Sequence, residues 1–151
     1  MTISYCKGDA TQPVGTDPRV IIHCCNDIGG WGSGFVVAVS RRWPQPEKSY
    51  REWHRSGMAT LGQVQFVAVE PNLWVANIIG QHGVGRMREG PPIRYDAIEA
   101  GLNLVATFAK INGASIHGPR LGAGLAGGSW KRIEGIIERT LKDFSVTIYD
   151  L

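Results

Sequence analysis

The chain has 151 residues, of which 43% are hydrophobic and 19% charged, and its formal net charge is +3. This length and apolar content predict one domain over residues 1–151 with its own core. No run approaches the about 18 apolar residues of a membrane span, and the first residues lack a signal-peptide pattern, so we expect a soluble cytoplasmic protein without membrane contact. The mild charge and brief basic clusters argue against direct nucleic-acid binding.

Three cysteines, Cys6, Cys24 and Cys25, show neither the spacing of a disulfide framework nor that of a zinc site. We therefore expect reduced, buried thiols, no metal requirement and no cofactor.

In the first part of the chain, residues 3–6 and 19–25 are apolar or β-branched runs that predict strands, the second of them buried. The apolar run 35–39 fits a buried helix or a buried strand by periodicity, and its flanks favour a helix. The polar segment 46–54 predicts an exposed helix that ends before Gly57.

In the second part, residues 64–69 and 73–79 predict a hairpin that turns at Pro71-Asn72. Residues 95–110 show helical apolar spacing, with Gly113 just past the end. A strand at 114–117, a helix around Ile133 and a strand at 145–149 follow. The order predicts an α/β sandwich of about six strands and four helices, with sites at the carboxyl ends of the strands.

Two glycine-rich turns are the most informative feature: Gly29-Gly30-Trp31-Gly32-Ser33-Gly34 and Gly122-Ala123-Gly124-Leu125-Ala126-Gly127-Gly128. Each follows a predicted strand and precedes a predicted helix, where backbone N–H groups and a helix N-terminus can hold phosphate. Two such turns suggest a diphosphate held from both sides.

With these turns, three further motifs occur in an order that resembles the macro domain: Gly8-Asp9-Ala10-Thr11, His23-Cys24-Cys25-Asn26 and Val146-Thr147-Ile148-Tyr149. The chain looks closest to the branch with the terminal ADP-ribose glutamate hydrolase, and also to the fungal ADP-ribose 1''-phosphate phosphatase. The resemblance implies a macro-domain-like three-layer α/β/α sandwich with a central mixed sheet of about six strands. It also implies ADP-ribose as ligand or product, and ADP-ribosylated proteins or ADP-ribose derivatives as partners.

The resemblance gives Asp9, with Ala10 beside it, the adenine-binding position, whereas on its own Asp9 could simply cap a turn. Tyr149 matches the aromatic partner of the adenine ring, or is an ordinary core tyrosine. Asn26 matches the residue that binds the hydroxyls of the terminal ribose, or is only a turn residue.

The first glycine turn should wrap the diphosphate and the terminal ribose, because glycine lets the backbone approach an anion closely. The second turn should close over the other side, with Ala123 and Leu125 giving shape, and with Ala126 and Gly127 in the same loop. Arg120, just before it, could contact phosphate or form a structural ion pair.

The hydrolase branch uses a lysine after the fourth strand and an aspartate in the second glycine turn. Here Ala126 stands at the aspartate position, and the strand exit Ile78-Ile79-Gly80-Gln81-His82 has no lysine. Candidate catalytic residues are therefore His82 and His23, since histidine suits proton transfer near neutral pH, and Asp27. His23 could instead be a hydrogen-bonded core residue.

Three functions remain open. The first is hydrolysis of the ester that links mono-ADP-ribose to glutamate or aspartate side chains, with a positioned water reversing ADP-ribosylation. The second is an ADP-ribose 1''-phosphate phosphatase, and the third is a non-catalytic module that reads ADP-ribose.

Overall fold

A computed structural model describes residues 3–84, 90–124 and 126–151. Within these residues the chain forms six strands and four helices that alternate much as the sequence predicts. The elements are β1 (Ile3–Lys7), β2 (Arg19–Asn26), α1 (Phe35–Arg42), α2 (Gln45–Arg55), β3 (Val64–Glu70), β4 (Leu73–Gln81), α3 (Tyr95–Asn112), β5 (Ser115–Gly118), α4 (Trp130–Thr140) and β6 (Val146–Asp150).

The strands form one sheet in the order β1-β6-β5-β2-β4-β3. All neighbours pair in parallel except β3, which is antiparallel to β4. The β3–β4 hairpin turns at Asn72, whose φ of 59° is a left-handed conformation that asparagine tolerates. The mixed sheet is therefore confirmed, and five parallel strands bring their carboxyl ends to one edge.

Helices cover both faces of the sheet. Helices α3 and α4 bury Leu102 and Ile137 against one face, and α1 and α2 bury Val39 and Tyr50 against the other. This arrangement confirms the three-layer α/β/α sandwich. None of the helices described here is both long enough and apolar enough to cross a bilayer.

Two local predictions need correction. The segment around α2 is not an exposed helix, since Tyr50 is fully buried and Pro46 is buried as well. Strand β4 extends two residues past Ile79, to Gln81, which pairs with Asn26 of β2. The run 35–39, ambiguous by periodicity, is helical as its flanks indicated.

Candidate functional site

A cleft of about 650 Å³ lies where β2, β4 and β5 end. Its size is typical of small-molecule and cofactor sites, which occupy roughly 300–1,000 Å³. Most of the binding residues predicted from the sequence line it: Asn26, Gly30, Trp31, Gly32, Ser33, Gly34, Arg120, Gly122, Gly124 and Ala126. The structure therefore places both glycine turns on the walls of one cleft.

Other predicted binding residues do not line this cleft: Asp9, Ala10, Gly29, Ala123, Gly127 and Tyr149. Leu125 lies outside the described residues. The ligand-binding roles of all these residues remain predictions.

The side chain of Asn26 organises the first glycine turn. Its Oδ1 accepts hydrogen bonds from the backbone N–H groups of Ile28 (3.1 Å) and Gly30 (2.9 Å), and its Nδ2 donates to Gly30 O at 2.8 Å. Asn26 is 7% exposed and lines the cleft. The amide group has two donor hydrogens, and only one of them is bonded within the described residues, so the other can serve a ligand.

Tyr50 of α2 supports the same turn from behind. Its hydroxyl donates to Asn26 O at 2.6 Å and accepts from the N–H of Gly29 at 3.1 Å. Burial raises the pKa of this hydroxyl, which therefore stays protonated. A fully buried helix residue thus fixes the start of the turn.

A polar chain joins the turn to α1 and α2. Trp31 Nε1 donates to Ser40 Oγ (2.7 Å), which donates to Glu47 Oε1 (2.9 Å). Arg51 contacts the other oxygen of Glu47 at 3.0 Å and the carbonyl of Gly29 at 3.1 Å. These contacts connect the first glycine turn to both helices.

Helix α1 begins inside the cleft. Gly34, with a φ of 85°, precedes it and gives no side-chain cap, and the first helical residues, Phe35 and Val36, line the cavity. The first N–H groups of a helix lack intrahelical partners and carry a partial positive charge. This end of the cleft is therefore suited to an anion.

The second glycine turn is tightly closed. The N–H of Gly128 donates to Gly122 O at 2.8 Å, and that of Ile93 donates to Ala126 O at 3.1 Å. A Cβ on Gly128 would lie 2.5 Å from Gly122 O, so the turn admits no side chain there. Glycine at position 128 is therefore required for the turn to close on itself.

Asp9 shapes its own loop. Its Oδ1 accepts from the N–H of Thr11 at 2.8 Å and from the Thr11 hydroxyl at 2.7 Å. Burial alone would raise the pKa of Asp9, but these hydrogen bonds from Thr11 outweigh it and lower the pKa. One carboxylate oxygen, Oδ1, satisfies the loop, and Oδ2 has no hydrogen-bond partner among the described residues.

Tyr149 is 5% exposed, and its hydroxyl accepts from the N–H of Val14 at 3.0 Å and contacts His117 Nδ1 at 2.7 Å. This environment is that of a core tyrosine, the alternative the sequence left open.

Arg120 makes a two-pronged ion pair with Asp150, at 2.8 and 3.1 Å. Its guanidinium also lies over the rings of Tyr5 and Trp130, 5.1 and 5.5 Å from their centroids. Hydrogen bonding to Asp150 raises its pKa. The structure thus shows the ion pair that the sequence offered as the alternative to a phosphate contact, although Arg120 still lines the cleft.

His23 is 1% exposed, and its Nε2 lies 2.6 Å from Asn77 Oδ1. Its ring packs edge-on against Trp31, with the centroids 5.5 Å apart. Burial lowers the pKa of His23 to about 4, so the ring is neutral at physiological pH. This geometry agrees with a hydrogen-bonded core histidine.

Acidification should weaken the fold through two histidines. Burial lowers the pKa of both His23 and His117 to about 4. Below the ordinary histidine pKa, the unfolded chain therefore binds more protons than the folded chain. The free energy of unfolding then decreases as the pH falls toward the pKa values of the folded protein. We expect the free energy of unfolding to drop by about 1 kcal/mol between pH 7 and pH 6 from this pair. Urea unfolding at the two pH values measures the drop; a constant midpoint would contradict it.

The remaining catalytic candidates, Asp27 and His82, contact each other. His82 Nδ1 lies 2.7 Å from Asp27 Oδ2, and the N–H of Gly83 donates to Asp27 Oδ1 at 2.8 Å. Each directly follows a residue that lines the cleft, Asn26 and Gln81 respectively. The sequence named both residues but not their pairing.

Several lining residues were missed, among them Cys24, Phe35, Val36, Gln81 and Val84. Position at a strand end could have revealed Gln81. Burial raises the pKa of the Cys24 thiol to about 12, and that of Cys25 also lies well above its ordinary value, so neither thiol ionises readily. In the described parts of the chain, no three His, Cys, Asp or Glu side chains group as metal ligands would.

The fold and the cleft together define an α/β protein whose ligand site is walled by two glycine turns. A macrodomain protein of Streptomyces coelicolor is 53% identical, with a TM-score of 0.86 and 99% of both chains covered. The chain belongs to the macrodomain family. A Bacteroides thetaiotaomicron protein of unknown function is 54% identical, with a TM-score of 0.97, 100% of this chain and 99% of that one covered.

Among curated proteins, the ADP-ribose 1''-phosphate phosphatase of Saccharomyces cerevisiae is 25% identical over 99% of this chain and 98% of its own length. The mouse chromodomain-helicase-DNA-binding protein 1-like is 30% identical over 98% of this chain, which spans only 17% of that protein. No family model matches the chain.

Proposed function

We propose that the cleft binds ADP-ribose and that the protein hydrolyses the ester joining ADP-ribose to an acidic protein side chain. The observation that carries the proposal is the meeting of two glycine turns and the α1 N-terminus around one cavity of about 650 Å³. Such backbone-lined sites suit phosphate groups. The full-length similarity to a protein named for an ADP-ribose derivative supports the choice of ligand.

In this proposal the diphosphate lies between the two turns, near the first residues of α1. The terminal ribose lies beside Asn26, whose remaining amide hydrogen is available to a hydroxyl. The adenine extends toward Asp9, whose Oδ2 would accept from the exocyclic amine.

The reaction suits a cleft that supplies mainly geometry. Among its described lining residues, the ionisable groups are a neutral histidine, two unionised cysteines and an arginine paired with Asp150. Holding water and a reactive ester in the right orientation removes much of the barrier by itself. The proposal requires neither metal nor cofactor, and ADP-ribosylated proteins are the partners.

A second candidate is the removal of phosphate from ADP-ribose 1''-phosphate. The alignment with the yeast phosphatase over 98% of that enzyme favours it. Both reactions need the same bound ADP-ribose and differ in the group on its terminal ribose.

The test is a parallel release assay on proteins modified at glutamate, at serine and at arginine, and on ADP-ribose 1''-phosphate, each with and without EDTA. We expect free ADP-ribose from the glutamate ester only, at the same rate with EDTA. Turnover of the phosphate substrate alone would establish the phosphatase. ADP-ribose binding with no turnover of any substrate would establish a reader.

Asp9→Asn should lower ADP-ribose affinity about tenfold, in line with the loss of a hydrogen bond to a charged group. Asparagine keeps an oxygen for Thr11 but places an amide donor where Oδ2 stood. Isothermal titration measures the change. Asp143→Asn is the matched control, because Asp143 is exposed in the turn before β6, at the opposite edge of the sheet. Equal affinities would show that adenine does not use Asp9.

A further inference from the structure

Asp27 and His82 form a hydrogen-bonded pair of the kind in which a carboxylate orients an imidazole that acts as a base. His82 Nδ1 lies 2.7 Å from one oxygen of Asp27, and the other oxygen accepts the N–H of Gly83. The Asp27 side chain is 16% exposed, whereas that of His82 is 47% exposed. The carboxylate is therefore fixed, and the imidazole reaches solvent.

The pair is anchored by two neighbouring strands. Asp27 comes directly after β2 and His82 directly after β4, and the last residues of these strands, Asn26 and Gln81, pair with each other. The backbone of His82 also donates to Pro92 O at 2.8 Å. Val84, two residues beyond His82, lines the cleft. His82 therefore lies between two lining residues, Gln81 and Val84, at the border of the cleft. Its partner Asp27 directly follows Asn26, beside which the terminal ribose is proposed to lie.

We infer that His82 is the general base of the ester hydrolysis and that Asp27 positions His82. This inference rests on the proposed function. A carboxylate that accepts Nδ1–H fixes the tautomer in which Nε2 is the acceptor. Hydrogen bonding from His82 and Gly83 outweighs the effect of burial and lowers the pKa of Asp27, which keeps the carboxylate charged.

The step balances without a co-reactant. Water attacks the anomeric carbon of the terminal ribose while its proton passes to His82 Nε2. The bond from that carbon to the ester oxygen breaks, and its electron pair leaves with the protein carboxylate. The imidazolium then releases its proton to solvent.

The decisive variant is His82→Asn. An asparagine amide can replace Nδ1–H as donor to Asp27, so the loop is kept, but it cannot act as a base. We expect kcat for the glutamate ester to fall at least about a hundredfold, as for loss of a general base. The dissociation constant for ADP-ribose should stay within about twofold, because His82 does not line the cleft.

Two more variants separate catalysis from structure. His82→Ala should recover part of its kcat on addition of imidazole, which a merely structural role would not allow. Asp27→Asn should lower kcat at least about tenfold, since the new amide would reverse the tautomer of His82. Asp143→Asn, exposed and far from the cleft, should behave as wild type.

The outcomes distinguish this inference from the function on which it rests. If the wild type turns over the ester and His82→Asn keeps its kcat, His82 is not the base, but the hydrolase stands. If both His82 variants lose ADP-ribose affinity in parallel with activity and imidazole restores nothing, the pair only shapes the cleft. If the wild type turns over no substrate, both proposals fail.

Discussion

Replacing Asn26 with alanine should lower ADP-ribose affinity by about a hundredfold or more, because three partly buried hydrogen bonds are lost together. Its amide group joins the backbone of Ile28 and Gly30 to the end of β2. Without it, two N–H donors and one carbonyl of the first glycine turn lose their partners. The turn should then no longer hold the shape that faces the diphosphate.

The same change should reduce the free energy of unfolding by about 2–4 kcal/mol, since each unsatisfied buried polar group costs roughly 1–3 kcal/mol. Isothermal titration and urea unfolding measure the two effects. Asn103→Ala is the control, because Asn103 is exposed on α3. An Asn26→Ala protein that binds ADP-ribose as the wild type does would show that the contacts of the turn with Tyr50, Arg51 and Ser40 suffice to fix its shape.

A companion variant, Asn26→Asp, separates the roles of the two amide atoms. Its oxygen still accepts from Ile28 and Gly30, but the donor to Gly30 O is lost and a negative charge is added to the cleft. We expect this variant to fold and still to bind the anionic ligand poorly.

The sequence predicts the layers and the glycine turns well because their causes are local. Apolar runs define the strands and helices, and Gly29, Gly34, Gly122 and Gly127 all have positive φ values that disfavour other residues. The order of motifs along the chain then suffices to predict one cleft at the strand ends.

The predicted end of β4 is wrong, and the packing of α3 on the strand explains why. A strand that is predicted over residues 73–79 leaves Gly80 outside, yet Gly80 lies within β4, where an added Cβ would clash with Ile98 Cδ1 of α3. Glycine is needed there for the close approach of a helix. The sequence therefore placed Gln81 in a loop and did not predict that it lines the cleft.

The sequence also does not predict contacts between residues that are far apart along the chain. Asp27 and His82 are 55 positions apart, and Tyr50 reaches Asn26 across 24 positions. Both contacts exist because parallel pairing of β2 with β4, and docking of α2 on the sheet, bring chain segments together. Periodicity within one segment carries no information about such pairs.

Gly118→Ala should destabilise the protein by about 3 kcal/mol, the upper part of the usual range for overpacking a core. An added Cβ would lie 2.6 Å from Ile22 O and 2.9 Å from Ile22 Cγ1. Backbone cannot move aside as a flexible side chain can, so β5 and β2 must separate. Their pairing ends one residue earlier, at His117 and Ile21.

Separation of the two strands would displace part of the cleft wall, because Pro119 and Leu121, which follow Gly118, line the cleft. Gly118→Ala should therefore weaken ADP-ribose binding as well as the fold. Gly135→Ala is the matched control within α4, where the new Cβ meets nothing within 4 Å. It should stabilise the protein by about 0.5–1 kcal/mol, since alanine favours a helix interior over glycine.

If close packing between β2 and β5 requires Gly118, urea unfolding should show a lower free energy of unfolding for Gly118→Ala and a higher one for Gly135→Ala, each relative to the wild type. A Gly118→Ala protein as stable as the wild type would mean that the strands separate at no cost. The link between sheet packing and the shape of the cleft would then be lost. With that link intact, the loss of affinity in Gly118→Ala should appear although the residue itself does not line the cavity.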